Sequence, residues 1–291
     1  MNSVEMKLDG PHLGPLREAN SLLGIPGALR ARMEEDGYLL IRGLHDRERV
    51  LAARRKILER VEQDGHLVPK SPPDLGLQAP GKGGAWYGGN KSVTHSPEFL
   101  GVVENPKLLS FFSEFLGSPA LTYDYKWLRV VGHRDYTGAH YDIVYMGRGT
   151  HRLFTLWTPY GDLSLDMGPL MILEGSHKFA RLKDTYGKTD VDRDNIGGWF
   201  SDNPLDPIQL FGGRWLTSEF RAGDALIFSP FTMHASLDNM TSRMRLSSDT
   251  RYQSVMEPVD GRWVGEKPLG HYAWMKTPVV PMAEMRRKWG F

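Results

Sequence analysis

Two side chains within Gly138-Ala139-His140-Tyr141-Asp142 have the types and spacing of a metal-ligand pair. Residues i and i+2 of a strand point to the same face, so the imidazole of His140 and the carboxylate of Asp142 would lie side by side. We therefore predict that they supply two of the three ligands of a metal ion. The spacing alone leaves open a second interpretation, a hydrogen-bonded pair at the edge of a strand.

A third ligand must come from elsewhere in the chain, and His234 is the best candidate. It follows the predicted strand 225–228, which Gly223 and Asp224 introduce. Two histidines and one carboxylate that leave other coordination positions open form the facial triad of non-haem Fe(II) oxygenases. The residue types thus predict an iron centre.

Arg245 and Ser247 follow His234 and would share one face of a strand. A guanidinium offers paired hydrogen bonds to a carboxylate, and a hydroxyl adds another donor. Near a metal, this pair would suit the distal carboxylate of a dicarboxylic acid. The alternative is an ion pair between Arg245 and a neighbour such as Asp249. A buried arginine without a partner is costly, so an anion is expected in either case.

The elements that must position these residues fall into two groups. The first 118 residues read as helices and loops, with a strand at 38–41 and helices at 26–34, 97–103 and 106–116. Asp46 is the predicted N-cap of another helix, and Asn105 that of the helix over 106–116. Short strands follow from about residue 119 to 255, and their predicted positions are 121–127, 153–157, 170–173, 225–228 and 243–248.

This order predicts a mainly β fold with flanking helices, a jelly roll or double-stranded β-helix of the cupin-like kind with an N-terminal helical layer. We expect one domain over 1–291. It would comprise a helical and loop layer (1–118), a jelly-roll core (119–255) and a C-terminal extension (256–291). The Pro- and Gly-rich stretch 64–92 reads as a long loop that carries Trp86 and Tyr87. The polar insertion 184–204 is a candidate lid.

Composition excludes several classes of function. The chain has 291 residues, 36 Lys and Arg against 35 Asp and Glu, and no cysteine. The missing basic excess argues against a nucleic-acid binder. Without cysteine there is no disulfide, thiolate metal site or thiol nucleophile. No apolar run reaches the ~18 residues of a membrane helix. We expect a cytoplasmic enzyme with a small-molecule substrate and without nucleic-acid or membrane partners; the oligomeric state is left open.

The other histidines are predicted to have no role in the chemistry. His45 and His271 are in turn-like contexts with no second titratable group at a suitable spacing, and His177 belongs to a Gly-Ser-His turn that is usually structural.

The combined pattern resembles the phytanoyl-CoA dioxygenase family of Fe(II)- and 2-oxoglutarate-dependent oxygenases, from about residue 30 to 255. The matching motifs are His140-x-Asp142, His234-Ala235-Ser236, Arg245-x-Ser247, Leu156-Trp157-Thr158, Gly168-Pro169-Leu170, Glu174-Gly175-Ser176-His177 and Arg221-x-Gly223-Asp224. Glu174 departs from the family, which commonly has proline at that turn position.

The resemblance implies Fe(II), 2-oxoglutarate and O2 as cofactor and co-substrates. His140, Asp142 and His234 match the iron ligands, and Arg245 matches the residue that pairs with the distal carboxylate of 2-oxoglutarate. Positions lining the co-substrate pocket are matched by Ser236, Ser247 and Trp157. Related halogenases have a small residue at the position of Asp142, so the aspartate favours hydroxylation, with release of succinate and CO2.

Other outcomes remain open at this point. Desaturation or ring formation would use the same residues. A jelly-roll isomerase or hydrolase with Zn or Mn, or a non-catalytic binding module of the same fold, is the alternative function. The substrate is expected to be a small metabolite or an intermediate of secondary metabolism.

Overall fold

The computed structural model describes residue 2, residues 4–272 and residues 278–291. The strands in these ranges are β1 (Leu13–Pro15), β2 (Tyr38–Ile41), β3 (Ala85–Trp86), β4 (Ala120–Thr122), β5 (Trp127–Val131), β6 (Phe154–Pro159), β7 (Leu170–Leu173), β8 (Ile196–Gly197), β9 (Trp215–Thr217), β10 (Ala225–Phe228), β11 (His234–Ser236), β12 (Arg245–Ser254) and β13 (Val280–Pro281). The α-helices are α1 (Pro26–Asp36), α2 (Arg47–Gln63), α3 (Lys91–Thr94), α4 (Pro97–Val103), α5 (Pro106–Leu116), α6 (Ile143–Met146), α7 (Ala180–Asp184), α8 (Leu205–Phe211) and α9 (Met282–Lys288).

The larger sheet has the strand order β2-β10-β6-β12-β5-β3, and β4 also pairs with β12. Its long strand β12 pairs in antiparallel register with β6 on one side and with β5 and β4 on the other. Along β12, Leu246 and Tyr252 pack beneath the helices. The alternate residues, beginning with Arg245, therefore face the interior of the fold.

The smaller sheet has the order β1-β9-β7-β11. A backbone bridge between His140 and His234 adds the segment around His140 to its β11 edge. Apolar side chains of both sheets meet in one cluster, in which Trp157 and Leu226 of the larger sheet pack with Leu170 and Ile172 of the smaller. Two facing sheets with this shared core make the predicted jelly roll.

Helices cover the outer face of the larger sheet. α1 and α5 pack over β2, β6 and β10 through side chains such as Leu29 and Phe112, and α2 and α4 pack over β5 and β12. The predicted caps are confirmed, since Asp46 and Asn105 each accept a backbone N–H three residues on. No α-helix in the described ranges is long and apolar enough to cross a membrane.

Several predicted element boundaries need correction. The stretch predicted as one strand over 121–127 is divided into β4 and β5, and β12 continues to Ser254 instead of ending at 248. The loop 64–92 contains the short strand β3, which pairs with β5, and the start of α3. The predicted C-terminal extension 256–291 includes residues 273–277, which lie outside the described residues.

Candidate metal and co-substrate site

The structure brings His140, Asp142 and His234 together in the interior. One ligand atom from each lies within 4.8 Å of the others. Nε2 of His140 is 3.9 Å and Nε2 of His234 is 3.8 Å from Oδ1 of Asp142. All three side chains are buried. Two imidazoles and one carboxylate that converge in this way form a donor set suited to a divalent transition metal.

Backbone pairing places the two histidines. The N–H of each donates to the carbonyl of the other at 3.0 Å, which joins the segment around His140 to β11. Nδ1 of His140 lies 2.8 Å from the carbonyl of Gly138, and Nδ1 of His234 lies 3.0 Å from that of Thr232. A carbonyl can only accept, so each Nδ1 is the protonated nitrogen. The Nε2 lone pairs are therefore free for a metal.

Asp142 reaches the site by a different route from the one predicted. Its backbone is helical (φ −69°, ψ −29°) because it opens α6, so it does not lie in a strand two residues after His140. Two donors orient its carboxylate at Oδ2: the Thr155 hydroxyl at 2.6 Å and Nη2 of Arg251 at 3.1 Å. This leaves Oδ1 facing the histidines.

Burial and charge together set the ionisation of the three groups. Burial would raise the pKa of Asp142, but Arg251, the two histidines and Thr155 hold that pKa well below its ordinary value. Burial lowers the pKa of His140 and that of His234, and for His140 the neighbouring His234 lowers it further. The cluster therefore has an ionised carboxylate and two neutral imidazoles, the states that bind a cation.

Arg245 is buried at 1% exposure without an acidic partner. Its Nη1 lies 3.4 Å from the Ser247 hydroxyl, while Nε and Nη2 have no hydrogen-bond partner. Asp249, the alternative partner considered from the sequence, instead accepts from Nε of Arg129 at 2.8 Å. Burial, with Arg129 nearby, lowers the pKa of Arg245 to about 10, so it remains charged at neutral pH. A buried cation with free donors fits a carboxylate ligand.

A cavity connects Arg245 with the histidines. Its walls include His140, His234, Trp157 and Ser236. The Ser236 hydroxyl already accepts the N–H of Thr137 at 2.9 Å. The indole of Trp157 packs edge-on against Phe220, which does not line this cavity. Five of the seven predicted site residues thus line this cavity, while Asp142 adjoins it and Ser247 contacts Arg245.

A second cavity, of about 420 Å³, opens on the other side of His140 and Asp142. Trp86 of the loop 64–92 and Trp199 of the insertion 184–204 both line it. The insertion is attached beside the candidate metal ligands, because Ser201 and Ala139 exchange backbone hydrogen bonds. Trp199 also lies so close to Gly138 that a Cβ there would be 2.5 Å from the indole, so the approach requires glycine.

The sequence interpretation missed Thr155, Arg129 and Arg251. Arg251 could have been found from the alternation along β12, where Arg245, Ser247, Asp249 and Arg251 form one polar stripe. Arg129 is fixed as the partner of Asp249 only by the register of β5 against β12. Thr155 carries no local signal.

The surroundings of two histidines differ from those expected from the sequence. His45 is buried and hydrogen-bonds to the Thr158 hydroxyl at 3.1 Å. His271 does have a titratable neighbour, since its Nδ1 is 2.9 Å from Asp192, and it lines the second cavity. Tyr141, between His140 and Asp142, is fully buried and donates to the carbonyl of Ser176 at 2.5 Å, and it lines neither cavity.

Comparison with known proteins identifies relatives over most of the chain. The sequence profile of the phytanoyl-CoA dioxygenase (PhyH) family matches residues 33–247. The 1-deoxypentalenic acid 11-beta-hydroxylase of Streptomyces exfoliatus is 26% identical over 250 residues, which is 81% of this chain and 84% of the relative. The enzyme of the same name from Streptomyces arenae is 25% identical over the same shares of each chain.

Solved structures share the fold at lower identity. The non-heme alpha ketoglutarate dependent carbocyclase SnoK from nogalamycin biosynthesis has a TM-score of 0.59 at 16% identity, covering 89% of this chain and 98% of its own. EctD from S. alaskensis has a TM-score of 0.57 at 17% identity, covering 94% of this chain and 95% of its own.

Proposed function

Since the chain belongs to the phytanoyl-CoA dioxygenase family and is an Fe(II)- and 2-oxoglutarate-dependent oxygenase, we propose that it hydroxylates an unactivated C–H bond of a small molecule. We propose His140, Asp142 and His234 as the iron ligands and Arg245 as the partner of the distal carboxylate of 2-oxoglutarate. Ser236, Ser247 and Trp157 are proposed to line the co-substrate pocket.

One observation carries the residue assignment: a two-histidine, one-carboxylate cluster shares a cavity with a buried arginine whose donors are free. An isomerase or hydrolase on this fold would use the metal cluster but would have no need for a buried cation next to it. A binding module would have no need for the cluster. Only a reaction that combines a metal with an anionic co-substrate uses both.

The residues of the chain contribute positioning and charge. Thr155 and Arg251 fix Oδ2 of Asp142, which holds Oδ1 toward the metal position. The carbonyls of Gly138 and Thr232 fix the tautomers of His140 and His234. The burial of Arg245 strengthens its attraction for a carboxylate, because water competes little there.

Bound iron and 2-oxoglutarate supply the oxidation, in which O2 converts the co-substrate to succinate and CO2 while one oxygen atom enters the substrate. The relatives named as hydroxylases support hydroxylation over the other outcomes. Mass spectrometry of the product tests this choice, since hydroxylation adds one oxygen atom whereas desaturation or ring closure adds none.

The cofactor assignment is tested without knowledge of the substrate. Fe(II) is titrated into metal-free protein under anaerobic conditions, with and without 2-oxoglutarate, while the visible spectrum is recorded. We expect a charge-transfer band that requires both components and is absent in His234→Ala. The control is His12→Ala, which removes an exposed histidine. A band that persists in His234→Ala would refute the ligand assignment.

We further propose that the enzyme acts as one domain in the cytoplasm, on a small metabolite or an intermediate of secondary metabolism. The lack of cysteine is compatible with a reducing compartment. The near balance of acidic and basic residues supports the proposal that the protein has no nucleic-acid partner.

A further inference from the structure

The second cavity, beside His140 and Asp142, has an aromatic wall and two arginines. Trp86, Trp127 and Trp199 are among its aromatic wall residues. Arg129 and Arg251 line the same space. This is the cavity that a substrate would occupy next to the proposed metal ligands.

Arg251 has an unused hydrogen-bonding group. The residue is only 2% exposed, and its guanidinium carbon lies 4.6 Å from the centre of the Trp127 ring. Nη2 is engaged with Asp142, and Nε points to the sulfur of Met146. Nη1 is buried without a hydrogen-bond partner. A buried N–H group of a cation that lacks an acceptor is unfavourable, which indicates that a ligand atom completes it.

Arg129 is also only partly satisfied. Its Nε donates to Asp249 at 2.8 Å, and its guanidinium carbon lies 4.8 Å from the centre of the Trp86 ring. Within the described part of the chain, its two terminal nitrogens have no hydrogen-bond partner. The side chain is 24% exposed, so these donors are accessible from the cavity.

The charges around the two cavities leave one cation unmatched. The arginines are Arg129, Arg245 and Arg251, and the acidic groups that contact them are Asp142 and Asp249. Apart from the candidate metal ligands, the other titratable wall residues are Tyr125, Tyr145 and His271, and His271 is already bonded to Asp192. The charges of a divalent cation and of a dianionic co-substrate cancel each other. One positive charge therefore persists in the loaded site, where an uncompensated charge is costly.

We propose that the substrate supplies the missing charge: it is an organic acid whose single carboxylate binds to Arg129 and Arg251, and its apolar body packs against the tryptophans. A planar carboxylate matches the paired N–H donors of a guanidinium, and a flat or cyclic hydrocarbon body matches indole faces. This inference rests on the proposed function, because it places the acid next to the iron ligands.

The test uses the anaerobic protein loaded with Fe(II) and saturating 2-oxoglutarate. Benzoic, cinnamic and cyclohexanecarboxylic acids are each titrated beside the primary amide of the same acid, which has nearly the same shape without the charge. The readout is the shift of the charge-transfer band. We expect the acids to bind ~10- to 100-fold more tightly than the amides, the range that hydrogen bonds to charged groups support.

Variants assign the effect to the two arginines. In Arg129→Gln and in Arg251→Gln the ratio of the affinity for the acid to that for the amide should fall toward one. Arg55→Gln, which removes an exposed arginine of α2, should keep it. If an arginine variant no longer forms the charge-transfer band, the ratio of acid affinity to amide affinity in the parent protein decides whether the inference stands.

The outcomes separate the two proposals. If the band forms but acids bind no better than amides, or if no acid shifts it, this inference is overturned and the proposed function stands. If acids remove the band, they displace 2-oxoglutarate, and the inference is overturned too. If the parent forms no band, the proposed function fails and this inference fails with it.

Discussion

Replacement of Arg245 by methionine should change ligand affinity and protein stability in opposite directions. The guanidinium is buried with Nε and Nη2 unpartnered within the chain, and its contact with Ser247 is long at 3.4 Å. Arg245→Met removes this desolvated cation and keeps an unbranched apolar stem. The free energy of unfolding of the metal-free protein should therefore be unchanged, or higher by about 1 kcal/mol or more.

Affinity for 2-oxoglutarate should fall in the same variant. Hydrogen bonds to a charged group contribute about 1.5 to 3 kcal/mol each. A loss of about 3 kcal/mol in total corresponds to a ~100-fold increase in the dissociation constant. Iron binding without the co-substrate should persist, because Arg245 is not among the three proposed ligands.

Two measurements check this pair of effects. Chemical denaturation of the metal-free protein gives the change in stability, and anaerobic titration of the iron-loaded protein with 2-oxoglutarate gives the change in affinity. Arg55→Met, at an exposed position of α2, is the matched control and should alter neither quantity. Unchanged affinity together with a loss of more than about 2 kcal/mol of stability would show that Arg245 is a structural residue.

Three further predictions follow from the contacts of single side chains. Thr155→Val removes the hydroxyl that holds Oδ2 of Asp142 and should weaken Fe(II) binding ~10-fold or more, measured by anaerobic titration; unchanged affinity would mean that Arg251 alone fixes the carboxylate. Tyr141→Phe leaves the Ser176 carbonyl without this donor and should lower the free energy of unfolding by about 1 kcal/mol, while a change in iron affinity would contradict its structural role. Burial lowers the pKa of His45 to about 4, so between pH 6.5 and about 4 the unfolded chain binds the extra proton and stability falls with falling pH. His45→Gln should reduce that loss, which is at most about 3 kcal/mol, and an identical pH profile of denaturation would refute the argument.

Much of the frame of the site could be predicted from local sequence. The periodicity of apolar residues and the capping residues predict the observed bounds of β7, β10 and the helices at 97–103 and 106–116. His140 and His234 were identified because their types carry metal chemistry wherever the chain places them. These are properties of short segments, and short segments are what periodicity and capping describe.

The orientation of the proposed ligands could not be predicted in the same way. Asp142 leaves the strand conformation because α6 begins there, and the turn has no distinctive composition. The choice of Arg129 instead of Arg245 as the partner of Asp249 depends on how β5 and β12 align, which only the folded sheet determines. Burial of His45 likewise depends on its contact with Thr158 of another strand.

The bridge between Ala139 and Ser201 has a consequence for redesign of the enzyme. Residues 139 and 140 form a narrow central strand, with the insertion bonded on one side and β11 on the other. Ser201 is therefore a defined boundary for an exchange of insertion residues that is meant to alter the substrate range. Trp199, which is exposed, is available for exchange, whereas Val191, Ile196 and Phe200 of the insertion are buried in the core. Ser201 itself should be kept, because its loss would expose a sheet edge next to a proposed iron ligand.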